Sequence, residues 1–599
     1  MTLNRPALIV LSRRGEETAR RLKTAMPAME IHALAGRASG DVAFQRMGEH
    51  VTRLFCEGRT IIGFCASGIL IRCLAASLDD KAGEPPVLAV SEDGSTIVPL
   101  LGGHHGANNQ ARAIAEALGG RAAITTSGDI HFGVALDEPP SGYRLANPED
   151  AKAFMARLIA GESVRLAGEA PWLSTTTLPF DDNATLQITV TDEALPGDAG
   201  HLVYQAATVV LGMGCERGAG ACEAIALATR LITMNGIAAA SLAAIASVDL
   251  KADEAALHEV GRHFGVPVWF YSRESLAAME PQLATPSAIV KAEIGIAGVA
   301  EAAALAATGR LLAPKIKSAR VTAALGKAAR PEAIRPGTPR GRVFLVGVGP
   351  GIPDWRSGEA VRLLQIAGDW VGYDLYLDLI KDLRQGQREH RFPLGAEEKR
   401  VRHAMECAAE GRDVAVVCSG DPGIFAMATL AYELIDTGAA EGPLSDAARR
   451  VEIVVAPGIS AFQAAAARAG APIGHDFCCI SLSDLLTPRG DILKRLHAAA
   501  EGDFVISFYN PRSKRRVTLL DEAFEILRRH RPTDTPVILA TDLGRPAEAV
   551  RIVTLETVRS EDVDMLTLVM VGSSQSKAVA TGDGRTWVYT PRGYDRKTI

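Results

Sequence analysis

The sequence is poor in cysteine, in long apolar runs and in excess positive charge. Nine cysteines are scattered over 599 residues, at 56, 65, 73, 215, 222, 407, 418, 478 and 479. An odd and dispersed set is not a disulfide framework. No Cys-x-x-Cys pair occurs, so the usual local signature of a zinc knuckle or a ferredoxin-type cluster is missing, and no residue is assigned to a metal. Cys478 and Cys479 are adjacent and read as small hydrophobes in a strand. Lys plus Arg is 64 against 70 Asp plus Glu, a net charge of -6. That balance argues against general nucleic-acid binding, which needs a broad positive surface. Near the start, only Ala7–Leu11 is an apolar run, too short for a signal-peptide core. No stretch approaches the roughly 18–20 apolar residues that cross a bilayer. The expectation is a cytoplasmic protein with no membrane or nucleic-acid partner.

What is present is a long globular chain. Apolar residues make up 47% and charged residues 22%, which excludes disorder as the main state. At roughly 100–200 residues per domain the length accommodates several domains. One compositional break begins at Pro139-Pro140 and runs to about Gly200. A second, Pro331–Arg342, packs three prolines and two glycines into twelve residues and reads as an interdomain linker. The expected division is 1–138, a connecting region 139–200, 201–330, a linker 331–340, and 341–599.

Both halves alternate strand-sized apolar runs with helical patterns, the mark of an α/β fold with mostly parallel sheets. The predicted strands of the first half are Ala7–Leu11, Thr60–Phe64, Val87–Val90, Ala122–Thr125 and Thr208–Gly212, and Ala221–Met234 reads as a helix. Those of the second half are Val343–Gly347, Val414–Cys418, Val451–Val455, Phe504–Phe508, Val537–Ala540 and Leu566–Val571.

The chemistry-bearing signals sit at strand ends. Gly347-Val-Gly-Pro-Gly351 follows one strand, Ser419-Gly-Asp-Pro-Gly423 a second, and Ala456-Pro-Gly-Ile-Ser-Ala461 a third. Tyr509-Asn-Pro511 and Thr541-Asp-Leu-Gly-Arg-Pro546 follow two more. Turns at the carboxyl ends of strands are where open α/β sheets bind ligands. A nicotinamide dinucleotide site would want glycine at 352, which is Ile, and Pro350 interrupts the amide cradle, so an NAD-dependent oxidoreductase is the weaker reading.

These turns, in this order over about 341–599, resemble the tetrapyrrole methylase family. Val371-Gly-Tyr373 supports the resemblance, and His475–Pro488 and Phe508–Ser513 are more similar to its ring-contracting C(17)-methylating members than to the other methylases. The resemblance implies a two-lobed fold, a homodimer, and S-adenosyl-L-methionine bound in the cleft between the lobes. It implies methylation of C17 of precorrin-3B with ring contraction to precorrin-4; the cobalt-factor III reaction of the cobalt-early route is the alternative. Carried over by position, the cofactor contacts fall on Pro350, Ser419, Gly420, Asp421, Ile424, Ser460, Ala461, Asn510 and Gly544. The Asp421 carboxylate would meet either the ribose hydroxyls or the amino group.

Ring contraction moves charge through the macrocycle and asks for a proton donor or acceptor near it. The proposed catalytic residues are Asp374, Ser483, Thr487 and Tyr509, with Tyr376 and Asp484 as further candidates. Arg489 stands where the family pattern has Trp and could grip a substrate carboxylate. Arg512-Ser-Lys-Arg-Arg516 would attract a polycarboxylate to the cleft rim. The second half has only Cys407, Cys418, Cys478 and Cys479, an unpromising set for the four-thiolate cage of an iron–sulfur cluster. The expectation is therefore a cluster-free enzyme that takes the cobalt-free substrate.

In the first half, Gly63–Arg72, Val90–Ser95 and Leu101–Asn109 resemble the N-terminal domain of the cobalt-precorrin-5A hydrolase family. Leu211–Gly218, Ala246–Asp249 and Lys291–Glu293 resemble its C-terminal domain. Two readings stay open, a hydrolase acting on a lactone and a non-catalytic precorrin carrier or scaffold. Glu216-Arg217 resembles an anion-binding nest, and His104-His105 reads as a pair of hydrogen-bonding loop residues.

Overall fold

Ala7–Val10 is apolar and buried at all four positions, as a strand covered on both faces by helices must be. It lies inside a seven-stranded sheet in the order Val42–Phe44, Glu30–Leu34, Ala7–Val10, Ile61–Phe64, Val87–Val90, Thr96–Leu101, Arg121–Ala122. The first five strands are parallel and Thr96–Leu101 runs against them. The computed structural model describes residues 6–78, 84–103, 106–125, 127–437, 442–513 and 518–594. The chain divides into two units, Met1–Pro339 and Arg340–Ile599.

The first unit holds two further sheets. Val209–Cys215 and Leu242–Val248 pair in parallel, and Val321–Lys327 closes against Val209–Cys215 antiparallel. The helix Ala221–Met234 packs its Ala224, Leu227, Ala228 and Leu231 into that core. Between these sheets the stretch read as a connector carries one of its own: Tyr143–Leu145, His201–Ala206, Leu186–Thr191 and Val164–Ala167 form four strands over Phe154, Leu173 and Tyr204. Its strands are short and separated by Pro and Asp turns, so no single run is strong enough to signal a sheet. The Ala122–Thr125 run also differs, because only Arg121–Ala122 pairs, at the sheet's edge. The Pro-rich segment is tied to the first unit. Arg335 donates to the Ala307 carbonyl, the Tyr271 hydroxyl donates to the Arg335 carbonyl, and Thr338 pairs with Phe270.

The second unit has two principal sheets. The first is wholly parallel, in the order Arg388–Phe392, Asp369–Tyr373, Asp413–Cys418, Arg342–Gly347, Glu452–Ala456. The second, Phe477–Ser481, Val505–Tyr509, Thr567–Val571, Pro536–Thr541, Ala549–Thr554, is antiparallel apart from its first pair. The short strands Gly470–Ala471, Thr586–Tyr589 and Lys577–Ala580 form a small third sheet. The two lobes thus follow one another along the chain, and the carboxyl ends of Arg342–Gly347, Asp413–Cys418 and Val505–Tyr509 supply loops to one cavity. No described helix is long and apolar enough to cross a membrane.

Candidate active site

The cavity has a volume of about 390 Å³, within the range of small-molecule sites. Gly420 in its lining belongs to a crossing of glycine loops. Gly420 and Gly349 exchange two backbone hydrogen bonds, the Gly420 amide to the Gly349 carbonyl at 2.9 Å and the reverse at 3.3 Å. Gly420 has φ +71, and a Cβ on Gly458 would come within 2.1 Å of the Gly420 carbonyl oxygen. Asp421 ties the crossing: Oδ1 accepts the Gly423 amide at 2.8 Å and Oδ2 the Gly458 amide at 3.1 Å.

Ser460 begins the helix Ala461–Ala469 with a capping box, its hydroxyl on the Gln463 amide and the Gln463 side chain on its own amide. The Tyr509 hydroxyl hydrogen-bonds the Ser460 hydroxyl and accepts the Phe462 amide at 3.2 Å. Burial pushes the Tyr509 phenol above its ordinary range. Tyr509 therefore stays neutral at physiological pH and fastens a helix start to the second lobe's sheet. Burial likewise raises Tyr376, and it pushes the Cys418 thiol at the end of its strand up to about 12.

Among the described non-glycine residues, four have positive φ, and three of these, Phe425 (φ 50), Asn510 (φ 49) and Asp542 (φ 48), line this cavity. Backbone held in a sparsely populated region clusters where a site over-determines it. The walls mix charged side chains, among them Glu397, Arg400 and Arg545, with aromatic and apolar ones: the Phe425 and Tyr509 rings are 5.1 Å apart, and Leu394, Met565 and Leu566 are exposed along the lining.

Of the positions carried over for the cofactor, Pro350, Ser419, Gly420, Asp421, Ile424, Ser460, Ala461 and Asn510 all line the cavity. Gly544 does not. It lies behind the first turn, where a Cβ on Gly351 would come within 2.3 Å of its carbonyl oxygen. Tyr509 lines the cavity, as does Tyr376. Asp374, Ser483 and Thr487 are absent from the lining. Asp374 is exposed at the start of a short helix and faces Arg391 at 3.5 Å. Ser483 and Thr487 stand on the loop after Phe477–Ser481, with Asp484 and the exposed Leu485 and Leu486. Arg489 pairs with Glu522, away from the cavity.

The sequence reading missed Arg400. It projects from the helix Glu397–Ala409 into the cavity wall, only 2% exposed, on the same buried stripe as Val401 and Ala404. One guanidinium nitrogen donates to the Pro393 carbonyl at 3.2 Å, while Nε has no partner among the described residues. A buried cation without a carboxylate beside it is costly unless a ligand completes it. The available signal was a single charge on an otherwise apolar helix face.

In the first unit, Arg217 is engaged by Asp253 at 2.6 Å and Glu254 at 3.1 Å, and Glu216 by Arg320 at 3.0 Å. The proposed anion nest is thus already filled by the protein's own charges. His104-His105 and residues 514–516 of the cationic run lie outside the described residues.

Residues 342–559 match the family described as Tetrapyrrole (Corrin/Porphyrin) Methylases, and the chain belongs to that family. Residues 49–129 match Cobalamin synthesis G N-terminal, and 209–326 match Cobalamin synthesis G C-terminus. Among similar proteins, the precorrin-3B C(17)-methyltransferase of Sinorhizobium sp is 42% identical over 254 residues, 42% of this chain and 97% of that one. A probable cobalt-factor III C(17)-methyltransferase of Salmonella typhimurium is 41% identical over 250 residues, covering 42% and 98%. The crystal structure of the methyltransferase CobJ aligns at 42% identity over 42% of this chain and all of that one, with a TM-score of 0.39.

Proposed function

We propose that the second unit is an S-adenosyl-L-methionine-dependent methyltransferase that methylates C17 of precorrin-3B with ring contraction, in corrin biosynthesis. The observation that carries the reading is convergence: eight positions from four separate strand-end turns, which resemblance assigns to the cofactor, line one cavity. The residues fit such a ligand. Gly420 and the loop at Gly458 allow backbone to approach closely, Asp421 offers a carboxylate, and Arg400 has donor capacity to spare for a carboxylate group. The cofactor supplies a methyl group on a sulfonium, already a good leaving group, so positioning supplies most of the rate. The exposed apolar side chains along the lining suit a flat macrocycle, and Tyr509 holds the second lobe's sheet to the helix start at Ser460.

A second reading, the cobalt-containing ring as substrate, is favoured by the 41% identity to the Salmonella protein. The two are separated by incubating the full chain and S-adenosylmethionine with precorrin-3B or with cobalt-factor III. The proposal expects a methylated, ring-contracted product from the cobalt-free substrate; turnover only with the cobalt ring would transfer the assignment. The first unit acts in the same pathway, as a hydrolase or as a precorrin carrier. Acetaldehyde released from the lactone substrate by residues 1–339 alone decides for the hydrolase. A homodimer through the methylase unit is the proposed assembly, read by the solution mass.

A further inference from the structure

A second cluster of side chains lies outside the cavity lining, further along the helix that carries Arg400. His403 and Cys407 are four residues apart on the helix Glu397–Ala409 and so share a face. His390 meets them from the edge strand Arg388–Phe392. His390 Nδ1 lies 2.9 Å from His403 Nε2, and Cys407 Sγ lies 3.5 Å from the same His403 nitrogen. The ligating atoms of all three residues lie within 4.8 Å of one another.

The two spacings at His403 Nε2 are close to those of a tetrahedral ion. Zinc bonds of about 2.0–2.1 Å to nitrogen and about 2.3 Å to sulfur give edges of about 3.3 Å between nitrogens and about 3.6 Å from nitrogen to sulfur. The two edges that meet at His403 Nε2 differ from these values by a few tenths of an ångström, and the third is bounded at 4.8 Å. A second observation points the same way: the remaining ring nitrogen of His390 sits 2.8 Å from Oδ1 of Asp369, whose carboxylate is buried. A carboxylate behind a ligating imidazole fixes its tautomer and aims its free lone pair, here that of Nδ1. Asp369 is itself faced by Arg412 at 3.4 Å.

Hydrogen bonds alone serve the cluster poorly. Where His390 carries one hydrogen and gives it to Asp369, its Nδ1 accepts, and the one hydrogen on His403 Nε2 is shared between that nitrogen and the Cys407 sulfur. An ion in place of that hydrogen would be bound by all three, with the thiol proton released to solvent and the His403 proton carried on Nδ1 instead, so that the imidazole remains a neutral ligand. We propose that His390, His403 and Cys407 bind a zinc ion, oriented by Asp369, with a fourth position open to water. The ion would pin the helix Glu397–Ala409 to the edge strand, and so hold Glu397 and Arg400 in the cavity wall.

The test uses the full chain stripped of metal by a chelator, then titrated with Zn²⁺ by calorimetry and with Co²⁺ by absorption. One site with a sulfur-to-cobalt charge-transfer band is expected. Cys407→Ser should abolish the band and weaken zinc by tenfold or more. Asp369→Asn should keep the stoichiometry while weakening affinity roughly 10–100-fold, the usual effect of losing such a carboxylate. His390→Gln, at a half-buried position, provides a second ligand variant should Cys407→Ser fail to fold. No charge-transfer band in the unaltered chain, or zinc affinity and stoichiometry unchanged in folded ligand variants, would overturn the assignment.

Discussion

The Asp421 carboxylate accepts the Gly458 amide at 3.1 Å while its other oxygen accepts the Gly423 amide at 2.8 Å, so one cavity-lining side chain joins two strand-end turns. Asp421→Ala should weaken binding of S-adenosylhomocysteine by about 1–3 kcal/mol, the range for a lost partner to a charged hydrogen bond. Calorimetry reads it. Unchanged affinity would confine Asp421 to a structural role.

Gly458 has no room for a side chain, because its Cβ would meet the Gly420 carbonyl oxygen at 2.1 Å. Gly458→Ala should cost about 1–3 kcal/mol of stability, as overpacking does, and displace the Gly420 turn. Urea denaturation of the second unit, with cofactor affinity measured beside it, checks both effects. A fully stable variant with normal affinity would show that the loops do not cross as described.

Arg400→Met keeps much of the side-chain volume and removes a buried cation with an unpartnered Nε. Stability should change by less than about 1 kcal/mol, since replacing a poorly compensated buried charge by a hydrophobe is often neutral. Binding of the carboxylate-bearing ligand should weaken by about 1.5–3 kcal/mol, the range for hydrogen bonds to charged groups. Titration with S-adenosylhomocysteine and with substrate separates which carboxylate Arg400 serves. Affinity for both ligands unchanged from the unaltered chain would refute the anchor.

Tyr509, Tyr376 and Cys418 all have pKa values raised by burial. A raised folded value means that the neutral form is favoured in the fold. The stability it carries is complete below the unfolded pKa, about 8.5 for the thiol and about 10 for the phenols, and is lost as pH rises through the folded values. Stability of the second unit should therefore be insensitive to these groups near neutrality and fall on the alkaline side. Alkylation at pH 8 should label the exposed Cys56 and Cys222 and spare Cys418; rapid labelling of Cys418 would contradict its burial.

Every core cluster among the described residues draws its members from one side of residue 340. A fragment from Arg340 to Ile599 should fold cooperatively and methylate on its own. A folded but inactive fragment would mean that the first unit completes the site.

The sequence by itself determined the strands that are apolar throughout and the turns that follow them. Val343–Gly347 and Val414–Cys418 were legible because strands covered on both faces must be continuously hydrophobic. Glycine and proline at their ends mark turns for a local reason, and eight of the nine proposed cofactor positions sit on such turns and line the cavity. Strands with polar edges, such as Arg388–Phe392, and the short ones between 143 and 206 carry too little local signal, because neighbouring strands supply their stability. Only the tertiary structure decided which polar residues converge. Asp374, Ser483 and Thr487 carry suitable chemistry but lie off the cavity lining, whereas Arg400 is drawn in by the helix stripe it shares with Val401 and Ala404. His390 meets His403 and Cys407 only because an edge strand pairs beside Asp369–Tyr373 and the helix packs near it. Contacts between residues far apart in sequence follow from packing, and no local spacing records them.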